Sequence, residues 1–401
     1  MKILVINCGS STIKYQLFDM DGQKVLCSGS AERIGLPQGI LTHKKYPNTD
    51  AQTKTVFDEP FKTHADAMQR IVQIMLNGET AVISDVAEIE GVGHRIVHGG
   101  SLSSTVEATP EVIEIVRKYI PFAPIHNPAC IMGIEVAMQF FPKAKHVCVF
   151  DTAFHQTMPP EAFVYPVPYA WYEEKGVRKY GFHGTNHKYV TQRVAALMNK
   201  PVSECNFISC HIGSGASMAA IKNGKSIDTT MGMTPLAGLM MGTRCGDIDV
   251  SVLGFLMRNT QLTAEEIDNI LNKQSGLTGI CGKSDLRDVH AQIKAGDEKA
   301  KLALDMFVYR IKSFIGAYLV QLGRVDALIF TAGVGLNDSV VRERVLEGLE
   351  PFGFILDKQA NQERGYEHKV ISTPDSPVKI YVVEANEELA IAQETQQLLS
   401  S

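Results

Sequence analysis

A run of strand, glycine turn, strand, hairpin and strand occurs twice in this chain, and that repetition constrains its architecture most. In the first copy Ile3–Val5 reads as a buried strand, Gly9–Ser10–Ser11 as a tight turn and Thr12–Phe18 as an alternating strand. Asp21–Gly22 then turns the chain into Lys24–Ser30. In the second copy Asn206–His211 is apolar, Gly213–Ser214–Gly215 turns, and Ala216–Ile221 returns. Asn223–Gly224, the strongest short hairpin signal present, leads into Lys225–Thr229. The copies share architecture and match only loosely in sequence. Two meanders with helices between them predict α/β architecture, each half on its own sheet. The 401 residues suit two domains at roughly 150 residues each. With no low-complexity linker, the boundary is expected to be a compact hinge just after Asp151.

Helices are expected at Ala65–Leu76, from Pro110 to Tyr119, from Asn127 to before Pro142, and at Val250–Arg258 and Ala264–Asn272. The capping box Thr263-x-x-Glu266 introduces the last of these. A long helix, Glu298–Leu322, precedes the strand Ala327–Phe330, and the strand Lys379–Val383 precedes a final helix, Glu387–Leu399. Glu90–His98 and His146–Phe150 read as strands of the first half. Charge narrows the function classes. Lys and Arg number 39 against 44 Asp and Glu, a net charge of −5 with no basic block, which argues against a nucleic-acid surface. No apolar run reaches the roughly 18 residues that cross a bilayer. The Ile3–Ile6 run stops at Asn7–Cys8–Gly9, too early for a signal peptide. Eight scattered cysteines without a C-x-x-C pair read as reduced, buried thiols of a cytoplasmic protein, with Cys8 and Cys245 as the candidates for reactivity.

Three glycine-rich turns each follow an apolar strand: Asn7–Cys8–Gly9–Ser10–Ser11–Thr12, His211–Ile212–Gly213–Ser214–Gly215, and Gly333–Val334–Gly335–Leu336–Asn337. Glycine permits close backbone approach, and exposed N–H groups with hydroxyls make an anion cradle. Lys14 shares a strand face with Thr12 and can place a point charge beside the same phosphate. One such turn alone is an ordinary tight turn; three, one with a matching lysine, point to a phosphate ligand. Neither a Walker A motif nor G-x-G-x-x-G is present. A second group sets Arg and His between glycines: His94–Gly100, His126–Asn127, Phe182–His187 and Gly242–Asp249. It supplies Arg95, His126, His183 and Arg244, cations that loops can bring to a ligand. Asp151 ends an apolar strand, where ligand chemistry collects in α/β sheets. Glu387 and Glu388 open the last helix and also suit its dipole.

These residues resemble the acetokinase family. The resemblance is carried by Val5–Ile6–Asn7–Cys8–Gly9–Ser10–Ser11–Thr12–Ile13–Lys14 and by Gly181–Phe182–His183–Gly184–Thr185–Asn186–His187. Matching stretches at 93–100, 123–128, 149–158, 228–249, 273–282 and 385–392 extend it over nearly the whole chain. It implies two ribonuclease H-like domains, the duplicated actin-like ATPase fold, with the active site in the cleft between them. It places residues 385–401 back on a first domain of residues 1–151, with 152–384 as the second, and it implies a homodimer. The reaction implied is reversible transfer of the ATP γ-phosphoryl group to acetate, giving acetyl phosphate and ADP. Magnesium, with manganese as an alternative, would lie near Asn7 and Glu387. The nucleotide would meet Ser10–Thr12, Lys14, His211–Gly215, Asp285–Leu286–Arg287 and Gly333–Asn337. Acetate would lie at Arg95, its methyl near Val97, Ile125, Phe182 and Pro235, and Asp151, His183, Arg244 and His126 would surround the phosphoryl group. Ser214 and Leu336 depart from the usual Asn and Glu, in nucleotide turns. A propionate kinase of the same family is the alternative. A nucleotide switch is a remote one, because two domains fill the chain and such switches need no Arg95, His183 and Arg244.

Acetate is already ionised at neutral pH, so no base has to remove a proton, and Asp151 is expected to organise its neighbours. The obstacle is an anion attacking an anion. At about 4 Å and an effective dielectric of ~20, unit charges repel by roughly 4 kcal/mol, close to three decades in rate. Arg95, Arg244, His183 and magnesium are expected to offset that repulsion.

Overall fold

Strand β1 (Lys2–Gly9) is buried along Ile3–Ile6, on both of its faces, so it must run inside a covered sheet. Around it lie β2 (Thr12–Asp19), β3 (Lys24–Glu32), β4 (Ile40–Lys45), β5 (Thr53–Asp58), β6 (Ile89–Ile96), β7 (Val106–Glu107) and β8 (Lys145–Phe150). Their order across the sheet is β5-β4-β3-β2-β1-β6-β8-β7. The strands from β1 to β5 pair antiparallel, whereas β1, β6 and β8 are parallel. This sheet belongs to one of two units into which the computed structural model, covering residues 1–401, divides: residues 1–154 with 386–401, and residues 155–385.

Alternation along β1 sends Leu4 and Ile6 to one face and Ile3 and Val5 to the other. The first face packs on the helix His64–Leu76 through Met68, Ile71, Val72 and Met75, and on the helix Asn127–Phe140. Each fully buried Ile or Leu contributes about 1.5–3 kcal/mol. Thr63 caps the first helix by accepting from Asp66 N–H, and the Asp66 carboxylate accepts in turn from Thr63 N–H. The opposite face receives the last helix, Glu387–Leu399, through Ile391 and Ala392. Gly91 and Gly93 make that contact close. A Cβ on Gly93 would lie 2.5 Å from Thr395 Oγ1, and one on Gly91 would lie 2.7 Å from Leu399 Cδ1.

The second unit repeats the plan with β9 (Phe207–Ile212), β10 (Ala216–Lys222), β11 (Lys225–Thr229), β12 (Ala327–Thr331), β13 (His368–Val370) and β14 (Lys379–Val383). The order is β11-β10-β9-β12-β14-β13, with β9, β12 and β14 parallel. In each sheet an antiparallel meander is followed by two strands parallel to its first strand, β6 and β8 in one and β12 and β14 in the other, the ribonuclease H-like order, so the fold is duplicated α/β; β4 and β5 extend the first meander. Asn223 and Gly224 both have positive φ, 53° and 74°, as a type I′ hairpin turn requires. The expected capping box at Thr263 and Glu266 is present.

Two expectations need correction, and two strands are additional. The Gly333–Asn337 segment is a short helix, Ala332–Asn337, and not an open turn; Ala332 makes the sharp exit from β12 at φ 64°. Strands β4 and β5 have no counterpart in the sequence reading. Cys8 is buried, and burial pushes its thiol up to about 12, which removes it from the reactive candidates. No helix is long and apolar enough to cross a membrane.

Candidate active site

In the first unit the parallel strands β6 and β8 end side by side, which sets Arg95 next to Asp151. Asp151 N–H continues the ladder by donating to Ile96 O at 2.9 Å. Its carboxylate, only 2% exposed, accepts from Arg95 Nη2 at 2.7 Å and from Nε at 3.4 Å. Glu387 reaches the same guanidinium, with Oε2 3.6 Å from Nε. The last helix delivers it from its first turn, where Asn386 accepts from Leu389 N–H. One edge of Arg95 is therefore occupied, while Nη1 has no protein partner and stays available to a planar anion. Asp151 raises the Arg95 pKa, and burial opposes it. Burial pushes the Glu387 carboxyl up, Asp151 and Glu388 push it further, and Arg95 and Lys14 pull it back.

Asn7 and Lys14 face each other across β1 and β2, with Lys14 and Ser10 exposed and Ser11 and Thr12 half-buried. Gly9 closes the turn, its carbonyl accepting from His64 Nε2 at 2.9 Å. Val97 packs at the edge of the core that contains Ile96, Cys130 and Phe150. Ile125 is 57% exposed, and His126 begins the helix Asn127–Phe140. The sequence marks Asn127 only as the neighbour of His126 and the start of a helix; it is buried and ties the loop down. Its amide nitrogen donates to His98 O and Val116 O, and its oxygen accepts from His98 N–H.

In the second unit β9 ends at His211 and Ile212, and Gly213 N–H donates to Gly215 O within the turn. His183 holds φ 56° immediately before the helix Gly184–Leu197, a left-handed conformation uncommon for a residue with a side chain. That conformation aims its ring at the turn. The ring stacks on His211 with centroids 4.0 Å apart, and Nδ1 lies 2.8 Å from Ser217 Oγ. Arg244 comes to the same place from a loop fixed by Met241 N–H to Arg244 O and Cys245 N–H to Leu271 O. Its Nη1 donates to Pro235 O at 3.1 Å, and burial lowers its pKa. No carboxylate pairs with it. A Cβ built on Gly215 would lie 3.5 Å from both Arg244 Nη1 and His183 Nε2, so the two groups converge on the space that Gly215 leaves bare. Phe182 is buried and Pro235 is half-buried.

The remaining expected contacts are spread through the second unit. Asp285 caps the helix Leu286–Lys294, and Arg287 forks onto it at 2.6 Å, which holds the Asp285 carboxyl down at about 2. Leu286 is buried, so it can offer a ligand only its backbone. Gly335 is buried, and Leu336 and Asn337 border a cavity of about 260 Å³ also walled by Arg364, Tyr366, Glu367 and Glu384. Ser214 accepts from Gly242 N–H through its backbone oxygen. Arg342, 1% exposed, was invisible to sequence reasoning. Its guanidinium donates to Gly335 O and Leu336 O at 2.8 Å and to both oxygens of Asn361, satisfying the carbonyls of the Ala332–Asn337 helix.

A buried arginine without an acid, an arginine with one open edge and a carboxylate-rich helix start suit a reaction between anions. The comparisons agree. The model of the acetokinase family matches residues 2–393. The acetate kinase of Oleidesulfovibrio alaskensis is 53% identical over 394 residues, covering 98% of each chain. That of Lawsonia intracellularis is 50% identical over 402 residues, covering 100% of each. Among solved structures, Porphyromonas gingivalis acetate kinase superposes with a TM-score of 0.94 at 44% identity, over 99% of each chain. A propionate kinase from Francisella tularensis gives 0.90 at 38%, again over 99% of each. Similarity that runs unbroken from end to end, in sequence and in backbone, identifies the chain as a member of the acetokinase family, phosphotransferases whose acceptor is a carboxyl group.

Proposed function

We propose that the chain catalyses direct, in-line transfer of the γ-phosphoryl group from ATP to acetate, in the cytoplasm and as a homodimer. The observation that carries this reading is the convergence of Arg244 Nη1 and His183 Nε2 on Gly215, with no carboxylate to neutralise the guanidinium. A desolvated cation without an acid is a prepared anion site, and a phosphoryl group fits it.

The residues divide the work by charge. Arg95 grips the acetate carboxylate through its open edge, while Asp151 and Glu387 hold the other edge and fix the plane of the guanidinium. A carboxylate oxygen then bonds to the γ-phosphorus as the bond to the bridging oxygen breaks, and ADP leaves with that electron pair. No proton has to move, so Asp151 acts through Arg95. Arg244 and His183 steady the equatorial oxygens, and Lys14 with the Ser10–Thr12 turn meets the phosphate chain.

Asn7 and Glu387 would hold magnesium. The donors are hard oxygens, the Asn7 amide oxygen and the Glu387 carboxylate. That fits an ion that takes few protein ligands and keeps water and phosphate oxygens. When bound, the ion would neutralise phosphate charge. Eight free cysteines suit a reducing compartment. For the dimer, the helix Ser251–Asn259 has no buried residue and displays Val252, Leu253, Phe255 and Met257. A solution mass of twice 44.0 kDa is expected, and 44.0 kDa would reject the dimer.

Steady-state rates with acetate, propionate and butyrate against several phosphoryl donors, with acetyl phosphate trapped as its hydroxamate, test the reading. Acetate with ATP should have the largest kcat/KM, because branched Val97 narrows the acyl pocket; one extra methylene costs about 1–3 kcal/mol. A larger value for propionate would make this a propionate kinase, a reading that the Francisella relative supports.

A further inference from the structure

Resting on the reading in which His183 meets the transferring phosphoryl group, we infer that Ser209, His187 and Ser217 form a directional hydrogen-bond string. The string holds His183 as a neutral imidazole with its proton on Nε2. Three contacts of 2.8 Å make it up: Ser209 Oγ to His187 Nδ1, His187 Nε2 to Ser217 Oγ, and Ser217 Oγ to His183 Nδ1. The topology explains the alignment. Ser209 and Ser217 lie on paired strands, with Ala219 opposite Ser209 and His211 opposite Ser217. His183 and His187 are one helical turn apart, so both rings descend on that sheet face from the start of the Gly184–Leu197 helix.

Proton counting gives the string its direction. Each hydroxyl has one proton, and each neutral imidazole has one N–H and one bare nitrogen. Only two arrangements keep every link. In one, Ser209 donates to His187 Nδ1, His187 Nε2–H donates to Ser217, and Ser217 donates to His183 Nδ1. His183 Nε2–H then points toward the space at Gly215. In the other every bond reverses, His183 carries its proton on Nδ1, and the Ser209 hydroxyl becomes an acceptor. Ser209 is fully buried and His187 Nδ1 is its one side-chain partner, so reversal leaves a buried O–H with nothing to donate to. The forward arrangement gives both hydroxyls and His187 Nε2–H an acceptor.

Protonating His183 also requires Nδ1–H, and therefore the reversed string. The guanidinium beside the ring opposes that charge as well. Arg244 Nη1 shares the Gly215 space with His183 Nε2, His211 stacks on the ring, and His155 lies edge-on to His187. His187 itself is fully buried, and burial lowers its pKa well below the usual histidine value, so it relays as a neutral ring. His183 is then a neutral donor to the phosphoryl group, and the positive charge is left to Arg244. That revises the expectation that counted His183 among the groups offsetting repulsion by charge. Ser217, His187 and Ser209 are positioning residues.

Nitrogen NMR of histidine-labelled enzyme tests this, with His183 assigned by the signal lost in His183→Gln. The wild type should show bare Nδ1 and protonated Nε2 across about pH 6–8, where an ordinary histidine titrates. Ser217→Ala should mix the tautomers, shift the acid limb of the kcat profile, and lower kcat about 10- to 100-fold, as loss of an orienting partner does, with KM little changed. Ser217→Thr restores the hydroxyl and should recover most of kcat and the wild-type spectrum. A wild-type spectrum with protonated Nδ1, or a Ser217→Ala enzyme that keeps both the wild-type tautomer and pH profile, overturns the proposal. If Ser217→Ala does not fold, the wild-type spectrum decides. If the wild type moves no phosphoryl group to any carboxylate, the functional reading fails, while the spectrum still answers for the string.

Discussion

At Gly215 a single methyl group should separate folding from catalysis. The Cβ of an alanine there would stand 3.5 Å from Arg244 Nη1 and His183 Nε2, an ordinary van der Waals distance, and Gly215 has no positive φ to forbid it. Gly215→Ala should therefore keep stability within about 0.5 kcal/mol, as neutral substitutions do. It should nonetheless lose most activity, because the methyl occupies the space proposed for a phosphoryl oxygen. Wild-type turnover in that variant would place the phosphoryl group elsewhere. Arg244→Ala and Arg95→Ala should each lower kcat by at least about a hundredfold, the usual loss for a major charge-stabilising donor. Near-normal turnover in both would remove the electrostatic account. Arg95, His183 and Arg244 could be picked out in sequence because glycines flank them, which marks loops built for close approach. Ser209, Ser217 and Arg342 could not. A hydroxyl inside an apolar strand disturbs no periodicity, and an arginine among charged helix residues reads as solvent-facing until the fold buries it.

The helix Asn127–Phe140 meets β1 through a glycine, and that element contact positions Asn7. A Cβ on Gly133 would fall 2.5 Å from Cys8 Sγ and 2.8 Å from its Cβ. Gly133→Ala should push the helix and the end of β1 apart and cost about 1–3 kcal/mol, typical of overpacking. Denaturant midpoints would report the loss, and an unchanged midpoint would mean that the helix shifts without strain. Elements set by neighbouring residues were legible in advance. The Asn223–Gly224 turn, the Thr263 capping box and the Glu298–Leu322 helix carry their instructions within a few positions. Strands β4 and β5 were not, since polar Thr42–Lys45 and Thr53–Thr55 become strands only through pairing with β3 and with each other. The Ala332–Asn337 helix escaped for a similar reason. Its glycines disfavour helix, and its carbonyls are met by Arg342, whose guanidinium Asn361 holds in place by accepting from it.

Across the whole molecule, burial makes several histidines poor bases. His94, His146, His187 and His43 all have lowered pKa values, with burial the leading cause in each. His94 and His146 share a hydrogen bond of 3.0 Å, and His146 Nε2 donates onward to Phe141 O, so both rings are held neutral. Above about pH 6.5 folded and unfolded chains both keep these rings uncharged, and their contribution is complete. Below it the unfolded chain takes up protons that the folded one refuses, so stability falls as the pH falls, by up to ~1.4 kcal/mol per pH unit for each ring. Urea midpoints from pH 7.5 downward should show the slope, and His94→Gln should flatten it; an unchanged slope would exclude this pair as its source. The return of the last helix to the first sheet has a consequence for synthesis. A ribosome releases residues 1–154 first, yet the surface around Gly91 and Gly93 stays bare until residues 386–401 arrive about 230 residues later. At ~5–20 residues per second that is a wait of tens of seconds at most rates. The first domain is thus completed only after the second has been made, and a transcript broken before codon 387 yields a product that lacks both Glu387 and the apolar side chains that cover Gly91 and Gly93.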